Sequence, residues 1–328
     1  MRSVDTLRVS VTDRCNLRCT YCMPPEGIDL IDHEEIMSFE EIERLVRVAA
    51  GSGVKKVRIT GGEPLVRKGL PDLIKKLTAI EEVYDLPMTT NGTLLAGMAE
   101  ELKNAGLSRV TVSLDTLKPE RYRQVARYDG LEKVMAGIEA ALDAGLAPVK
   151  INTVVVPGTN DDEVTDFAAL ANKLDLEVRF IERMPIVNRS SLPHCGMASD
   201  GYIPSIEIKE AIEKKMGKME PIEEKQSAAG NRGPARVYRI PGGNGKIGFI
   251  APMSEPFCKW CGRMRLTPDG KLRPCLAGST EIDVKGPMRQ GCTDEEIKTL
   301  FEKAVSMKPV QDSACFEGTG RLMSQIGG

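Results

Sequence analysis

Cys15, Cys19 and Cys22 follow one another with three and then two residues between them. That spacing wraps one short loop around a single metal centre. A cubane iron–sulfur cluster has four irons and normally takes four thiolates, so a trio from one loop leaves one iron open to a small molecule. Tyr21, immediately before the third cysteine, sets an aromatic face beside that centre. The competing chemistry is a zinc knuckle, but a structural zinc closes its shell with four protein ligands, and no fourth candidate is near in sequence. A second group stands far downstream. Cys258 and Cys261 are two residues apart, and Cys275 follows after thirteen more. This group also supplies three thiolates, and zinc there would have to recruit Cys292 or Cys195. Between the ligands stand Arg263, Met264 and Arg265. The two arginines project the same way from an extended segment, and paired guanidiniums suit phosphate oxygens.

Such groups need a scaffold to bring them together. Short β-rich runs, Leu7–Val11, Val57–Thr60, Asp85–Thr89, Val110–Leu114, Val149–Val155 and Val178–Ile181, alternate with amphipathic stretches. Ser38 and Glu41 form a capping box that opens a helix closed by Gly51 or Gly53. Leu131–Ala144 and Glu163–Leu174, the latter entered by Asp161 or Asp162, carry apolar residues at helical spacing. Six strand–helix units in series predict a parallel sheet with right-handed crossovers, doubly wound or curled into a barrel. The repeat stops near residue 220, short of the roughly 250 residues of an eight-unit barrel. Beyond it the chain turns rich in Gly and Pro, and a late helix, Asp294–Val305, opens with a second capping box from Thr293 and Glu296. A boundary is therefore expected near 217, dividing an α/β core (1–216) from a C-terminal lobe (217–328).

Several polar motifs end the predicted strands, where parallel α/β folds bind ligands. They are Thr60-Gly61-Gly62-Glu63-Pro64, Thr89-Thr90-Asn91-Gly92 and Ser113-Leu114-Asp115. Arg8, Lys56, Arg58, Lys150 and Arg179 lie in or beside strands, although parallel strands are normally apolar on both faces. A buried cation needs an anion, so several aimed into one cavity predict a polyanionic ligand.

Bulk properties narrow the classes further. The 328 residues are 41% hydrophobic, only 4% aromatic and carry a net charge of −2, which disfavours a nucleic-acid-binding surface. The sequence shows no signal-peptide pattern and no long apolar run to suggest a membrane segment. Nine cysteines, six in two tight groups, suit metal ligation in a reducing cytoplasm better than disulfides. With only His33 and His194, a histidine-rich metal site is excluded.

The trio Cys15, Cys19 and Cys22 followed by Gly61-Gly62-Glu63-Pro64 resembles the radical S-adenosylmethionine (SAM) enzymes. The stretches Leu7–Cys19 and Arg58–Leu65, the segment Phe257–Cys275 with its Arg-x-Arg insert, and the Gly327-Gly328 tail are similar to one family within them, the GTP 3′,8-cyclases of molybdenum cofactor biosynthesis. The resemblance implies an incomplete (β/α)6 TIM-like barrel closed by a smaller C-terminal lobe, with two [4Fe-4S] clusters. Cys15, Cys19 and Cys22 would hold the SAM cluster, and Tyr21, Gly62, Ser113 and Met184 would contact SAM. Cys258, Cys261 and Cys275 would hold the substrate cluster. Arg8, Arg58, Thr89, Lys150, Arg263, Met264 and Arg265 would bind GTP, with Lys56 and Arg179 close by and Gly327 and Gly328 reaching in. Reductive cleavage of SAM would then initiate hydrogen removal from ribose C3′ and closure onto guanine C8. The resemblance further implies an external one-electron donor, a downstream pterin synthase and a homodimer. Rival classes are a radical SAM peptide-maturing enzyme with an auxiliary cluster and a non-enzymatic metal-binding regulator. The insert Asn188–Tyr202, with His194 and Cys195, departs from the family pattern.

Overall fold

The computed structural model describes residues 3–185, 201–223, 233–309 and 320–327. Its first half runs β1 (Thr6–Ser10), α1 (Phe39–Gly51), β2 (Lys56–Thr60), α2 (Leu70–Thr78), β3 (Pro87–Thr90), α3 (Ala99–Asn104), β4 (Arg109–Ser113), α4 (Pro119–Ala126), α5 (Leu131–Asp143), β5 (Lys150–Val155), α6 (Val164–Leu174) and β6 (Glu177–Glu182). There follow α7 (Ser205–Met216), β7 (Glu220–Ile222), β8 (Arg236–Arg239), β9 (Lys246–Ile250), β10 (Arg263–Leu266), β11 (Lys271–Arg273), β12 (Ile282–Asp283), α8 (Lys285–Arg289), α9 (Asp294–Ser306) and α10 (Met323–Ile326). Among the described residues no helix is long and apolar enough to cross a membrane.

Local chemistry sets the helix ends. At α1 the Ser38 hydroxyl accepts from the Glu41 amide (3.1 Å) while the Glu41 carboxylate accepts from the Ser38 amide (2.8 Å). Thr293 and Glu296 repeat the device at α9. The entry to α6 differs from expectation. Neither Asp161 nor Asp162 caps it; a short 3₁₀ turn precedes it, and Asp162 instead pairs with Lys118 and Arg121. Helix α5 turns Leu131, Val134, Gly137, Ile138 and Ala141 inward.

The twelve strands of the described residues form one sheet, ordered β12-β11-β10-β1-β2-β3-β4-β5-β6-β9-β8-β7. The eight from β10 to β9 run parallel, and the outer pairs are antiparallel. The sheet runs across the compositional change expected to mark a boundary near 217. Composition changes there, but the sheet continues: β9 docks on β6 and β10 on β1, so the C-terminal segment covers both edges of the six-unit block. Uncovered edges would leave rows of unpaired backbone groups. Within β1, β2 and β5 burial alternates. Leu7, Val9, Val57, Ile59, Ile151 and Val155 join the apolar core. Arg8, Lys56, Arg58, Lys150 and Asn152 face the opposite way, into a cavity. The strands are therefore not apolar on both faces.

Candidate active site

One cavity of about 860 Å³ lies along that polar face, and all six cysteines of the two trios line it. The first trio follows β1 and is held by the loop after β2. The Gly62 amide donates to Thr12 O (2.6 Å) and the Glu63 amide to Arg14 O (2.8 Å). A Cβ on Gly62 would stand 2.4 Å from the Arg14 carbonyl oxygen, so this glycine admits the chain's own cysteine loop. Buried Glu63 accepts from Thr90 Oγ1 (2.7 Å), the Asn91 amide (2.7 Å) and the Leu65 amide (3.1 Å). Burial pushes its carboxyl up to about 7 against those donors. Asn91 donates to Asn16 Oδ1 (2.8 Å). Thr90 and Asn91 thus tie three loops around Cys15. Tyr21 donates to Asp115 Oδ2 (2.7 Å), whose other oxygen accepts from the Val154 amide (2.9 Å).

The donor set fits a cluster. Burial first, then the Cys22 and Cys15 thiolates, push the Cys19 thiol well above its usual range. Three thiolates can share this pocket only around a cationic body that holds them deprotonated. Among the described residues no three His, Cys, Asp or Glu side chains converge as a single metal ion requires. A cubane does not ask this of its ligands, because each thiolate binds a different iron.

Away from the first trio the cavity is basic. Nine lysines and arginines line it against three acidic residues, Asp5, Glu63 and Asp115. Strand register sets Arg265, Arg8 and Arg58 side by side across β10, β1 and β2. Arg58 donates to Thr89 Oγ1 (3.2 Å) and Thr111 Oγ1 (3.1 Å). Burial, then Arg179 and Arg109, bring Arg58 down to about 9. Burial, then Arg263, do the same for Arg265. Arg8 is pushed well below the usual arginine range by burial, Arg265 and Arg58. Lys150 falls to about 8 through burial and Arg179. Two carboxylates hold this fan. Asp85 accepts from Arg109 (2.5 and 2.8 Å) and pairs with Lys56 (3.1 Å). Glu177 accepts from Lys150 (2.6 Å) and from Arg179. The remaining positive charge is a sink for a polyanion.

The second trio frames the start of β10. Arg263 Nε donates to Cys261 Sγ (3.4 Å), and its guanidinium lies 5.0 Å from the centre of the Phe257 ring. Buried Lys308 donates to Arg263 O and to Pro274 O (3.0 Å), bracing the approach to Cys275. Burial opposes ionisation of Cys261, but Arg263 and Lys308 outweigh it and leave that thiol at about 6. The tail comes to the same region. Arg265 donates to the Gly327 carbonyl, and Gly327, at φ 71°, packs against Ser10 and Thr60. Arg321 anchors this segment on Asp269 and Glu281.

Tyr21, Gly62, Ser113, Met184, Arg8, Lys56, Arg58, Thr89, Lys150, Arg179, Arg263 and Arg265 all line the cavity. Met264 does not. Strand alternation turns it away from its two neighbours into the apolar core, where it is fully buried. Gly328, His194, Cys195 and Cys315 lie outside the described residues, as does most of the insert at 188–202. Arg109, Lys308, Tyr122 and Asn152 line the cavity and escaped the sequence reading. Arg109 is the first residue of β4, one position before the run that suggested a strand. Lys308 follows a helix with nothing nearby to mark it.

The chain matches the family model "Radical SAM superfamily" over residues 9–171 and "Molybdenum Cofactor Synthesis C" over residues 176–314. It is 48% identical to the GTP 3′,8-cyclase of Moorella thermoacetica, over 100% of this chain and 98% of that one. It is 50% identical to that of Pelotomaculum thermopropionicum, with the same coverage. Among solved structures it is similar to Streptococcus suis SuiB bound to S-adenosylmethionine. The TM-score is 0.60 at 14% identity, covering 86% of this chain and 63% of that one, a likeness of fold.

Proposed function

This chain belongs to the GTP 3′,8-cyclase family of radical SAM enzymes, and from that premise we propose how its residues divide the work. The enzyme is a lyase that converts GTP to (8S)-3′,8-cyclo-7,8-dihydroguanosine 5′-triphosphate, the first step of molybdenum cofactor biosynthesis. It uses SAM and an iron–sulfur cluster. Cys15, Cys19 and Cys22 hold that cluster, with Tyr21, Gly62, Ser113 and Met184 around SAM. Cys258, Cys261 and Cys275 would hold a second [4Fe-4S] cluster on the GTP side of the cavity. Bound there, the first cluster and SAM supply one-electron cleavage and the radical chemistry that follows. The protein's part is placement. Arg8, Arg58, Lys150, Arg179, Arg263 and Arg265 grip the triphosphate, with Lys56 and Thr89 beside them, so that the ribose is presented to the first trio.

The observation that carries this reading is the shared cavity, with both thiol trios and a surplus of cations on its walls. Anaerobic protein given SAM, dithionite and GTP is expected to form a cyclised nucleotide, and to contain about eight irons per chain for two cubanes. About four irons would remove the second cluster and leave the first. A modified peptide, with GTP unchanged, would remove the GTP site.

Glu177 provides a sharper test of the phosphate grip. If it only adds negative charge, Glu177→Gln should tighten GTP. Because it holds Lys150 and Arg179 in place, we expect the variant to bind GTP about tenfold more weakly in calorimetry. In the unaltered protein Lys150 is charged below about pH 8 and neutral above it. Affinity for GTP should therefore fall as pH rises through that value, and a flat profile would exclude Lys150 from the grip.

A further inference from the structure

The hydroxyl of Tyr122 has no use in the chemistry above. The side chain is 4% exposed, lines the cavity, and its hydroxyl oxygen is buried with no hydrogen-bond partner among the described residues. A buried phenol left unpaired is costly, so the hydroxyl calls for an acceptor. The location narrows the choice. The last turn of α4 is hydrogen-bonded to the cysteine loop, Val125 O accepting from the Thr20 amide (2.9 Å) and Ala126 O from the Arg18 amide (3.2 Å). Tyr122 is one turn before Ala126 and so shares its face. Burial raises the phenol above its usual range, and of the charged groups around it the Cys19 thiolate contributes most. The trio's other tyrosine, Tyr21, donates to Asp115 and is also in hydrogen-bond contact with the Cys19 thiol, so it is already partnered, whereas the Tyr122 hydroxyl has no partner among the described residues. Asn152 also carries a buried unpartnered atom in the cavity, but that atom is an acceptor and cannot serve sulfur.

We propose that Tyr122 donates a hydrogen bond to the sulfur of the first cluster or its Cys19 thiolate and thereby sets the cluster's reduction potential. The proposal rests on Cys15, Cys19 and Cys22 holding that cluster. A donor to cluster sulfur favours the more negative, reduced state and so raises the potential. Tyr122 is then a positioning and tuning residue that touches neither GTP nor the leaving groups.

The test is a potentiometric titration of anaerobic holoenzyme, followed by the electron paramagnetic resonance signal that changes when SAM is added. In Tyr122→Phe the ring and its packing remain. The expected result is unchanged iron content with a more negative midpoint in the absence of SAM. Incorporating 3,5-difluorotyrosine at position 122, a stronger donor of the same shape, should move the midpoint the other way, and this arm decides the matter if Tyr122→Phe loses iron. An unchanged midpoint without SAM in the iron-replete variants would overturn the proposal, as would a shift that appears only with SAM bound. Iron lost on Cys19→Ala but retained in Tyr122→Phe would leave the cluster assignment standing whatever the potential does.

Discussion

Gly62→Ala is expected to purify with about half its iron and to lose SAM cleavage by more than about a hundredfold, the second cluster surviving. The reason is steric. The new methyl would stand 2.4 Å from the Arg14 carbonyl oxygen, 2.7 Å from the Arg14 carbonyl carbon and 2.7 Å from Asp13 O. All three are backbone atoms, so no rotamer change relieves the clash, and the cysteine loop must move. Overpacking of this kind typically costs about 1–3 kcal/mol, and here the strain falls directly on the segment that aims Cys15. Gly51→Ala serves as the control: it lies at the end of α1 with nothing within 4 Å of an added Cβ, and should leave iron and activity unchanged. Full iron with normal SAM cleavage in Gly62→Ala would show that the loop tolerates displacement and that the glycine is not what positions the trio.

Arg58→Met should separate stability from function, with effects of opposite sign. In the ligand-free fold Arg58 is buried beside Arg179 and Arg109, which disfavours its charge and brings it down to about 9. A neutral side chain of similar length relieves that repulsion, so the ligand-free variant is expected to melt no lower than the parent, and higher at low salt. GTP affinity should nevertheless fall by about 10- to 150-fold, the worth of one charged hydrogen bond to phosphate at about 1.5–3 kcal/mol. Calorimetric binding and thermal melting read the two quantities separately. A lower melting point with GTP affinity intact would make Arg58 a structural residue held by Thr89 and Thr111. The predicted pattern is that of a binding site whose charges are unfavourable until the ligand arrives.

Much of the site was legible before any fold was known, because its chemistry is local. The three-cysteine loop is complete within Cys15–Cys22. The pair of arginines in β10 follows from their spacing of two, and the capping boxes at Ser38 and Thr293 each close within four residues. Charged residues in otherwise apolar strands already pointed to an anion. Two features needed the tertiary structure. Met264 stands between two cavity arginines in sequence, yet strand alternation buries its side chain in the core. Composition changes near 217, but backbone pairing ignores composition and sends β9 and β10 of the C-terminal segment to opposite edges of the core sheet.

Two kinds of information therefore come from different levels. The amino-acid order determines which groups exist and their short-range geometry: thiols in trios, glycines beside them, cations at alternate strand positions. Only the tertiary arrangement decides which distant groups meet. It joins residues 15 and 258 around one cavity, brings Lys308 to Arg263 and Pro274, sets Glu177 between Lys150 and Arg179, and leaves the Tyr122 hydroxyl buried without a partner among the described residues. The physical reason is range. Caps, turns and strand alternation are settled within a few residues, whereas desolvation and charge coupling depend on every group that packing brings close, however far apart along the chain.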